Sequence, residues 1–519
     1  MKYPNIIFFR YKKYSYIDLF FEGNKISLLC NVNITSDKSY LNNLYNPDYH
    51  LLVTFGDIES EYYNDVFDII SERMKKRWVH YKEIPDVNTF NNNVNYCFIN
   101  NVTLNHSITR VTFSVFTTCY NSYEKIHRVY NSLKEQIFKD WEWVILDDSP
   151  DENHFNYLKE LLLNDNRVRL YKRATNSGNI GNVKNEASSL CRGKYLLELD
   201  HDDEILPCLL LDATNVFESD KDIGFIYGDF TNIYENYRNF SYGNMFSLGY
   251  GGYYMQKWKD KWVYVCSSPN INNITLSNIV SVPNHPRIWR KDKLNEIGNY
   301  SEFLPISDDY ELLLRTCSKL KVAKIHKLCY VQYMNENNNN FSYIRNSEIN
   351  RLCKIHIQPQ AYINYNINEI MKDVNAFEDE KFLNDHIQIW KRENYIHLYS
   401  NVIINIDYDK IYCIIGTVAF MQNIDKINEL FQNIKNDFIL LDNKCNCEDL
   451  CKLLDSFNFD RMKCYSMSDV TNEQLINYFH LIYKSIDNYE IISLEKMITP
   501  EYSIEKSDMY KKVYNTNQC

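Results

Sequence analysis

Between residues 111 and 200 the apolar positions follow two rhythms. Short apolar runs come at VTFSVFTT (111–118), WVIL (143–146), VRLY (168–171) and KYLLEL (194–199). Runs of about four to eight such residues, bounded by polar turns, predict buried strands. Between the first two runs Ile126, Val129, Tyr130, Leu133 and Ile137 recur at helical spacing. Asn121 or Ser122 can cap that helix. Further helices are predicted over 154–163 and 183–191. Strands alternating with helices imply a parallel sheet covered by helices on both faces. Ligands of such sheets bind outside the carboxyl ends of the strands. Thr118, Tyr120, Asp147, Asp148, Asp200, Asp202 and Asp203 all fall at that edge.

The flanking stretches are plainer. Residues 1–108 carry strand-length runs, NIIFF, YIDLFF, KISLLCNV and HLLVTF, and a helix-like stretch from Tyr62 to Met74. They predict a small α/β or β-rich domain whose aromatics are core. Residues 346–407 read as a charged helical connector. Residues 408–519 return to alternation. Strands are predicted in KIYCIIGTV, DFILLDN, RMKCYSM and YEIISLE, with helices near 424–435, 447–456 and 472–486. That is a second small α/β domain. The expected division is therefore 1–108, 109–345, 346–407 and 408–519.

Charge and composition narrow the picture. The 519-residue chain has a formal charge of −11, which disfavours a nucleic-acid scaffold, because phosphate binding needs a basic surface. No stretch of about 18 apolar residues occurs, so no membrane span is predicted. The opening MKYPNIIFFRYKKY does not read as a signal peptide. The expectation is a soluble, cytoplasmic protein whose 15 cysteines are reduced thiols. Cys445, Cys447 and Cys451 lack the paired spacing of a zinc site. Ten of the 13 glycines lie between Gly178 and Gly298, where even spacing would put about three. Glycine is kept where the backbone is strained or closely approached, so the demanding geometry lies there.

That window contains LLELDHDDE, a buried strand ending in Asp200, Asp202 and Asp203. Like charges side by side repel unless something neutralises them. An Asp-x-Asp at a strand end suits Mg²⁺ or Mn²⁺, which take one or two carboxylates and complete their shell with water and diphosphate oxygens. The plainer reading is a solvated acidic loop opening a helix, with Glu204 in its first turn.

Four further stretches join it in a fixed order. Thr118-Cys119-Tyr120-Asn121 follows the first strand, WVILDDSPD ends the second, NSGNIGNVKN precedes GKYLLELDHDD, and ISDDYELLLR comes last. From Val111 to about Ser342 the chain resembles the family 2 glycosyltransferases, with Lys184 where that family commonly has Arg. The resemblance covers roughly 230 of 519 residues and neither flank. It implies a fold class: α/β, with a central GT-A domain (Rossmann-like, mostly parallel sheet) between a small N-terminal α/β or β-rich domain and a C-terminal α/β domain. It also implies site roles. Thr118, Tyr120 and Asp148, with Asp147 beside them, line the pocket for the nucleotide base. Tyr120 can stack on the ring, and a carboxylate can accept the imide N–H of uracil, which favours a UDP-sugar. Lys184 lies near the diphosphate. Asp200 and Asp202 meet ribose and metal, and Asp203 the metal, with Mn²⁺ or Mg²⁺ as cofactor. Asp309 is the base that deprotonates the acceptor hydroxyl in a single inverting displacement.

The acceptor, a carbohydrate or glycoconjugate, is less legible. The aromatic and glycine-rich stretch 242–265 suits a flap over sugar rings or ordinary packing. His285 and Arg287, in VPNHPRIWR, are candidate acceptor contacts. Two rival functions remain. A sugar nucleotidyltransferase calls for a Gly-rich basic loop after the first strand, which CYNSYEKI lacks. A sugar-nucleotide or carbohydrate-binding protein has no need of Asp309.

Overall fold

The computed structural model describes residues 5–10, 16–23, 31–37, 51–56, 66, 78–87, 89–90, 111–173, 176–241, 252–301, 304, 306–335, 344–378, 402–404, 412–433, 438–442, 446–466 and 490–491. The predicted helices at 62–74 (apart from Val66) and 472–486, the flap residues 242–251, and Cys445 lie outside the described residues. The chain divides into two compact units. One comprises Met1–Tyr130, Lys139–Asp202 and Trp289–Leu312; the other comprises Asn131–Phe138, Asp203–Ile288 and Leu313–Cys519.

The first unit holds two parallel sheets. Strands β1 (Asn5–Phe9), β2 (Asn31–Thr35), β3 (Leu51–Phe55) and β4 (Trp78–Tyr81) lie in the order β2-β1-β3-β4, and every pair is parallel. Helix α1 (Tyr16–Gly23) follows β1, so the N-terminal segment is α/β rather than β-rich. Phe8, Phe20, Phe55 and Phe90 gather their rings at 5.2–6.1 Å in its core.

The central sheet of this unit is built from β5 (Phe113–Cys119), β6 (Trp141–Asp147), β7 (Val168–Lys172) and β8 (Tyr195–Glu198), in the order β8-β5-β6-β7. All three pairings are parallel. Helix α2 (Ile126–Lys134) links β5 to β6, α3 (Glu152–Leu162) links β6 to β7, and α4 (Ile180–Leu190) links β7 to β8. Asp151 caps α3 by accepting from Asn153 N, and Asn179 caps α4 by accepting from Asn182 N. Val115, Phe116, Val144, Leu146, Leu170 and Leu197 are buried between the layers. Each such side chain contributes about 1.5–3 kcal/mol on leaving water. Trp143 is fully buried and donates its indole N–H to Thr117 Oγ1 at 2.9 Å. The register sets Cys119 beside Asp147 and Asp147 beside Lys172, so the strand ends form one polar edge.

In the second unit, α5 (Leu209–Ser219) leads to β9 (Ile223–Tyr234). Strands β10 (Gly252–Trp258) and β11 (Lys261–Ser267) form a hairpin, and β11 lies antiparallel to β9. Strand β12 (Arg287–Arg290) starts in this unit and ends in the first. Helix α6 (Asp308–Lys319) begins in the first unit and ends in this one, where β13 (Lys321–Met334) runs parallel to β9 along most of its length. Helices recur through 346–373. The C-terminal segment supplies β14 (Tyr412–Ile415), α7 (Ile424–Asn433), β15 (Phe438–Asp442), α8 (Cys447–Ser456), β16 (Met462–Ser466) and β17 (Glu490–Ile491), with its strands parallel in the order β17-β14-β15-β16. β16 also pairs antiparallel with β10 through Met255 and Cys464, so these strands continue the hairpin's sheet. Nine described cysteines are thiols, but Cys208 is disulfide-bonded, which corrects the expectation of reduced thiols throughout.

Candidate active site

At the end of β5 the chain turns sharply. Asn121 and Tyr123 take positive φ of 48° and 35°. Thr118 is half-buried, and Tyr120 is 53% exposed, which leaves its ring open for stacking. The turn is held from β6. Ser122 N donates to His154 Nε2 at 3.0 Å, so the imidazole proton sits on Nδ1, which donates to Asp147 Oδ1 at 2.8 Å. Ser149 donates its amide and hydroxyl to the same oxygen, and Lys172 stands 3.5 Å from the other. Burial pushes the Asp147 carboxyl up, but the hydrogen bonds from His154 and Ser149 and the Lys172 charge outweigh it and hold it below its ordinary value. Asp147 is fully buried. Its contacts make it the clamp of the Tyr120 turn and leave its carboxylate no exposed surface.

Asp148 follows on the same edge. Its Oδ1 accepts from Ser177 N at 2.8 Å and from Arg173 at 3.1 Å, and its Oδ2 from Asn176 at 2.9 Å. Arg173 also donates to Glu186 at 2.7 Å. Burial outweighs these donors and raises the Asp148 carboxyl. Arg173 and Asn176 hold Asp148 in the candidate site, and the sequence reading missed both. The Asn-x-Gly loop was seen, but the Arg standing three residues before it carried no motif of its own.

The second acidic cluster lies at the end of β8. Asp200 and Asp202 are half-buried there, and Asp202 pairs with Lys125 at 3.6 Å. Behind them Lys184, on α4, meets Glu198 Oε1 at 2.7 Å and Asp308 Oδ2 at 3.7 Å. Burial lowers the Lys184 ammonium, but Glu198, Asp308, Asp309 and Asp200 outweigh it and raise it. Tyr300 donates its hydroxyl to Glu198 Oε2 at 2.7 Å. Asp308 and Asp309 open α6. Asp308 is buried, and Asp309 is half-buried with Oδ1 accepting from Tyr310 N at 2.8 Å. Burial, opposed by Lys184 and reinforced by Asp309 and Glu198, pushes Asp308 up to about 6. The approach of α4 to this segment needs Gly181: a Cβ there would lie 2.3 Å from Ser301 O.

Three expectations change. Asp203 is buried, with Oδ1 accepting from Tyr333 N at 2.9 Å and Oδ2 from Tyr330 OH at 2.8 Å. Its carboxylate serves β13 rather than a metal. His285 is 3% exposed and stacks on Tyr330 at 4.4 Å, and Arg287 is 3% exposed, so neither is displayed as an acceptor contact. Lys184 is committed to carboxylates. Among the described residues no group of three His, Cys, Asp or Glu is arranged to hold a metal. A hard cation that takes most ligands from water and diphosphate needs only one or two carboxylates. The half-buried Asp202 fits that demand. Among the described residues no helix is long and apolar enough to cross a membrane.

The sheet and its acidic edge define an α/β protein with polar groups gathered at the carboxyl ends of its parallel strands. Residues 114–297 match the family model described as glycosyl transferase family 2, and this central stretch is a family 2 glycosyltransferase domain. Similar proteins include the chondroitin synthase of Escherichia coli, 26% identical over 225 residues, 43% of this chain and 29% of that protein. The hyaluronan synthase of Pasteurella multocida is 21% identical over 330 residues, 63% of this chain and 31% of that protein. An uncharacterized glycosyltransferase of Methanocaldococcus jannaschii is 28% identical over 204 residues, 39% of this chain and 63% of that protein. The matches span 20–31% of the length of the first four curated relatives. Among solved structures, S. aureus TarS 1-349 in complex with UDP-GlcNAc overlays loosely, with a TM-score of 0.34, 18% identity, and coverage of 78% of this chain and 99% of that one.

Proposed function

We propose that this chain transfers a sugar from a UDP-sugar to a hydroxyl of a glycan or glycoconjugate, with inversion and with help from Mg²⁺ or Mn²⁺. One observation carries the reading. The acidic end of β8 and the helix start bearing Asp309 share the charge of Lys184, so a candidate base and the nucleotide-side acids belong to one site. The relatives named for chondroitin and hyaluronan synthesis fit a glycan acceptor.

Each group then has a task. Tyr120 offers its exposed ring to the base. Asp148 and Arg173 form a fixed polar wall beside it. Asp200 and Asp202 face the ribose and diphosphate. Asp309 takes the acceptor proton as the oxygen attacks the anomeric carbon. A divalent cation held by Asp202 would neutralise charge on the departing diphosphate.

The test is release of UDP from UDP-GlcNAc, used as a probe UDP-sugar, by the purified full chain with Mn²⁺. Metal-dependent UDP release is expected, with EDTA abolishing it. Tight UDP binding without turnover, with or without added glycans, would instead make it a binding protein. Formation of UTP from the UDP-sugar and pyrophosphate would make it a nucleotidyltransferase.

A further inference from the structure

This inference rests on the glycosyl-transfer reading. One face of α4 is given over to the segment that delivers Asp309. Gly181, Lys184, Asn185 and Ser188 stand at i, i+3, i+4 and i+7, which lines them up on one side of a helix. Each meets the stretch between Asn299 and Asp308. Gly181 lets the Ser301 carbonyl approach, and a Cβ there would also come within 3.2 Å of Asp308 Cβ. Asn185 donates to Tyr300 O at 2.7 Å and accepts from Tyr300 N at 2.8 Å. Ser188 Oγ accepts from Asn299 at 2.9 Å. Lys184 reaches Asp308 itself, and its ammonium also lies 5.2 Å from the centre of the Tyr300 ring.

We propose that Lys184 is a positioning residue. It anchors the Asp308–Asp309 start of α6 to the end of β8 and does not grip the donor's diphosphate. Its side chain is 8% exposed, with the ammonium 2.7 Å from Glu198. A phosphate ligand must turn its charge toward the crevice, whereas this one is spent on two buried carboxylates. The surrounding hydrogen bonds have the same purpose. They fix the backbone from Asn299 to Tyr300, and the ion pair fixes its continuation at Asp308. Orientation of this kind acts on the reacting geometry, where a misplacement of about 1 Å can cost about 10²-fold in rate.

The experiment separates rate from binding. Turnover of UDP-GlcNAc with Mn²⁺ and UDP affinity by calorimetry are measured on the full chain. Lys184→Met should lower kcat by about 10–100-fold while UDP affinity stays within about twofold, and Lys184→Arg should keep most of the rate because it retains the charge. Removing one member of a buried pair can unfold a protein, whereas removing both is far better tolerated. The double variant Lys184→Met with Glu198→Gln is therefore the folded control, and it should remain slow. Gly181→Ala disturbs the same segment without touching charge and should give the same signature. Loss of UDP affinity of about tenfold or more in Lys184→Met, with kcat at saturation retained, would overturn the positioning role alone. So would full kcat in both Lys184→Met and Gly181→Ala. A wild-type chain that neither binds UDP nor turns over the donor would overturn the glycosyl-transfer reading, and this inference with it.

Discussion

The ends of β6 and β8 both carry acids, yet they are finished differently. At β6, Asp147 and Asp148 are enclosed by donors: His154, Ser149 and Lys172 for one, Arg173, Asn176 and Ser177 for the other. At β8, Glu198, Asp200 and Asp202, with Asp308 and Asp309 nearby, face Lys184 and Lys125 among the described residues. The first edge is closed in by its cations and donors and shapes a turn. The second has more negative charge than its lysines offset, and that excess suits a site for cations and transferred protons. Acids at strand ends are thus not one signal but two, and the partners decide which.

Several substitutions can break that contrast. The largest effect belongs to Asp309→Asn, which keeps the shape and removes the basic oxygen. General-base contributions are about 10²–10⁴-fold, so UDP-GlcNAc turnover should fall by that order while UDP affinity holds. If turnover persists, the β8 side has no base. Next comes Asp202→Asn, which should weaken Mn²⁺-dependent UDP binding by about tenfold or more, as loss of a single carboxylate ligand to a hard cation would. Its neighbour gives the counter-case. Asp203→Asn should leave UDP affinity intact and cost about 1–3 kcal/mol of stability in denaturant unfolding, because it disturbs two buried hydrogen bonds. Reversed outcomes for this pair would mean that the inward and outward carboxylates have been exchanged.

The smallest effects are in the pH dependence of stability, and the two edges should differ in sign. Asp147 is held below its ordinary value, so its contribution is present above about pH 4 and fades on acidification. Asp147→Asn should flatten that acid fall. Asp308 is raised from 3.8 to about 6, so its contribution is present below about pH 4 and is lost as pH rises toward 6. Asp308→Asn should remove that loss. Thermal melts across pH 3–7 would show both, and slopes of the same sign would erase the distinction.

The strands of the central sheet were legible because each is a short apolar run between polar turns. The acidic ends were legible because strand alternation fixes which end faces a ligand. What could not be read was where each carboxylate points. Asp202 and Asp203 are adjacent, and Tyr330 and Tyr333, which lie 127 and 130 residues from Asp203, draw it inward. The ion pairs of Lys184 were hidden for the same reason. Its partner Asp308 is remote in sequence, and a lysine in a polar motif resembles a phosphate ligand until that partner is seen. His285 and Arg287 sit in a polar stretch that reads as a loop, but the fold buries both.

The pairing of β16 with β10 has a consequence for how the chain can be cut. Without β16, the hairpin would end in a row of bare N–H and C=O groups, and such an edge recruits any other extended chain. The C-terminal strands cover it within the same molecule. Ile414, Phe438, Leu440, Met462 and Cys464 also share an apolar cluster with Met255 of the hairpin. A shortened protein that stops before residue 408 would expose both the edge and that cluster. It should self-associate on size-exclusion chromatography, because strand edge and apolar cluster would both lie open to other chains.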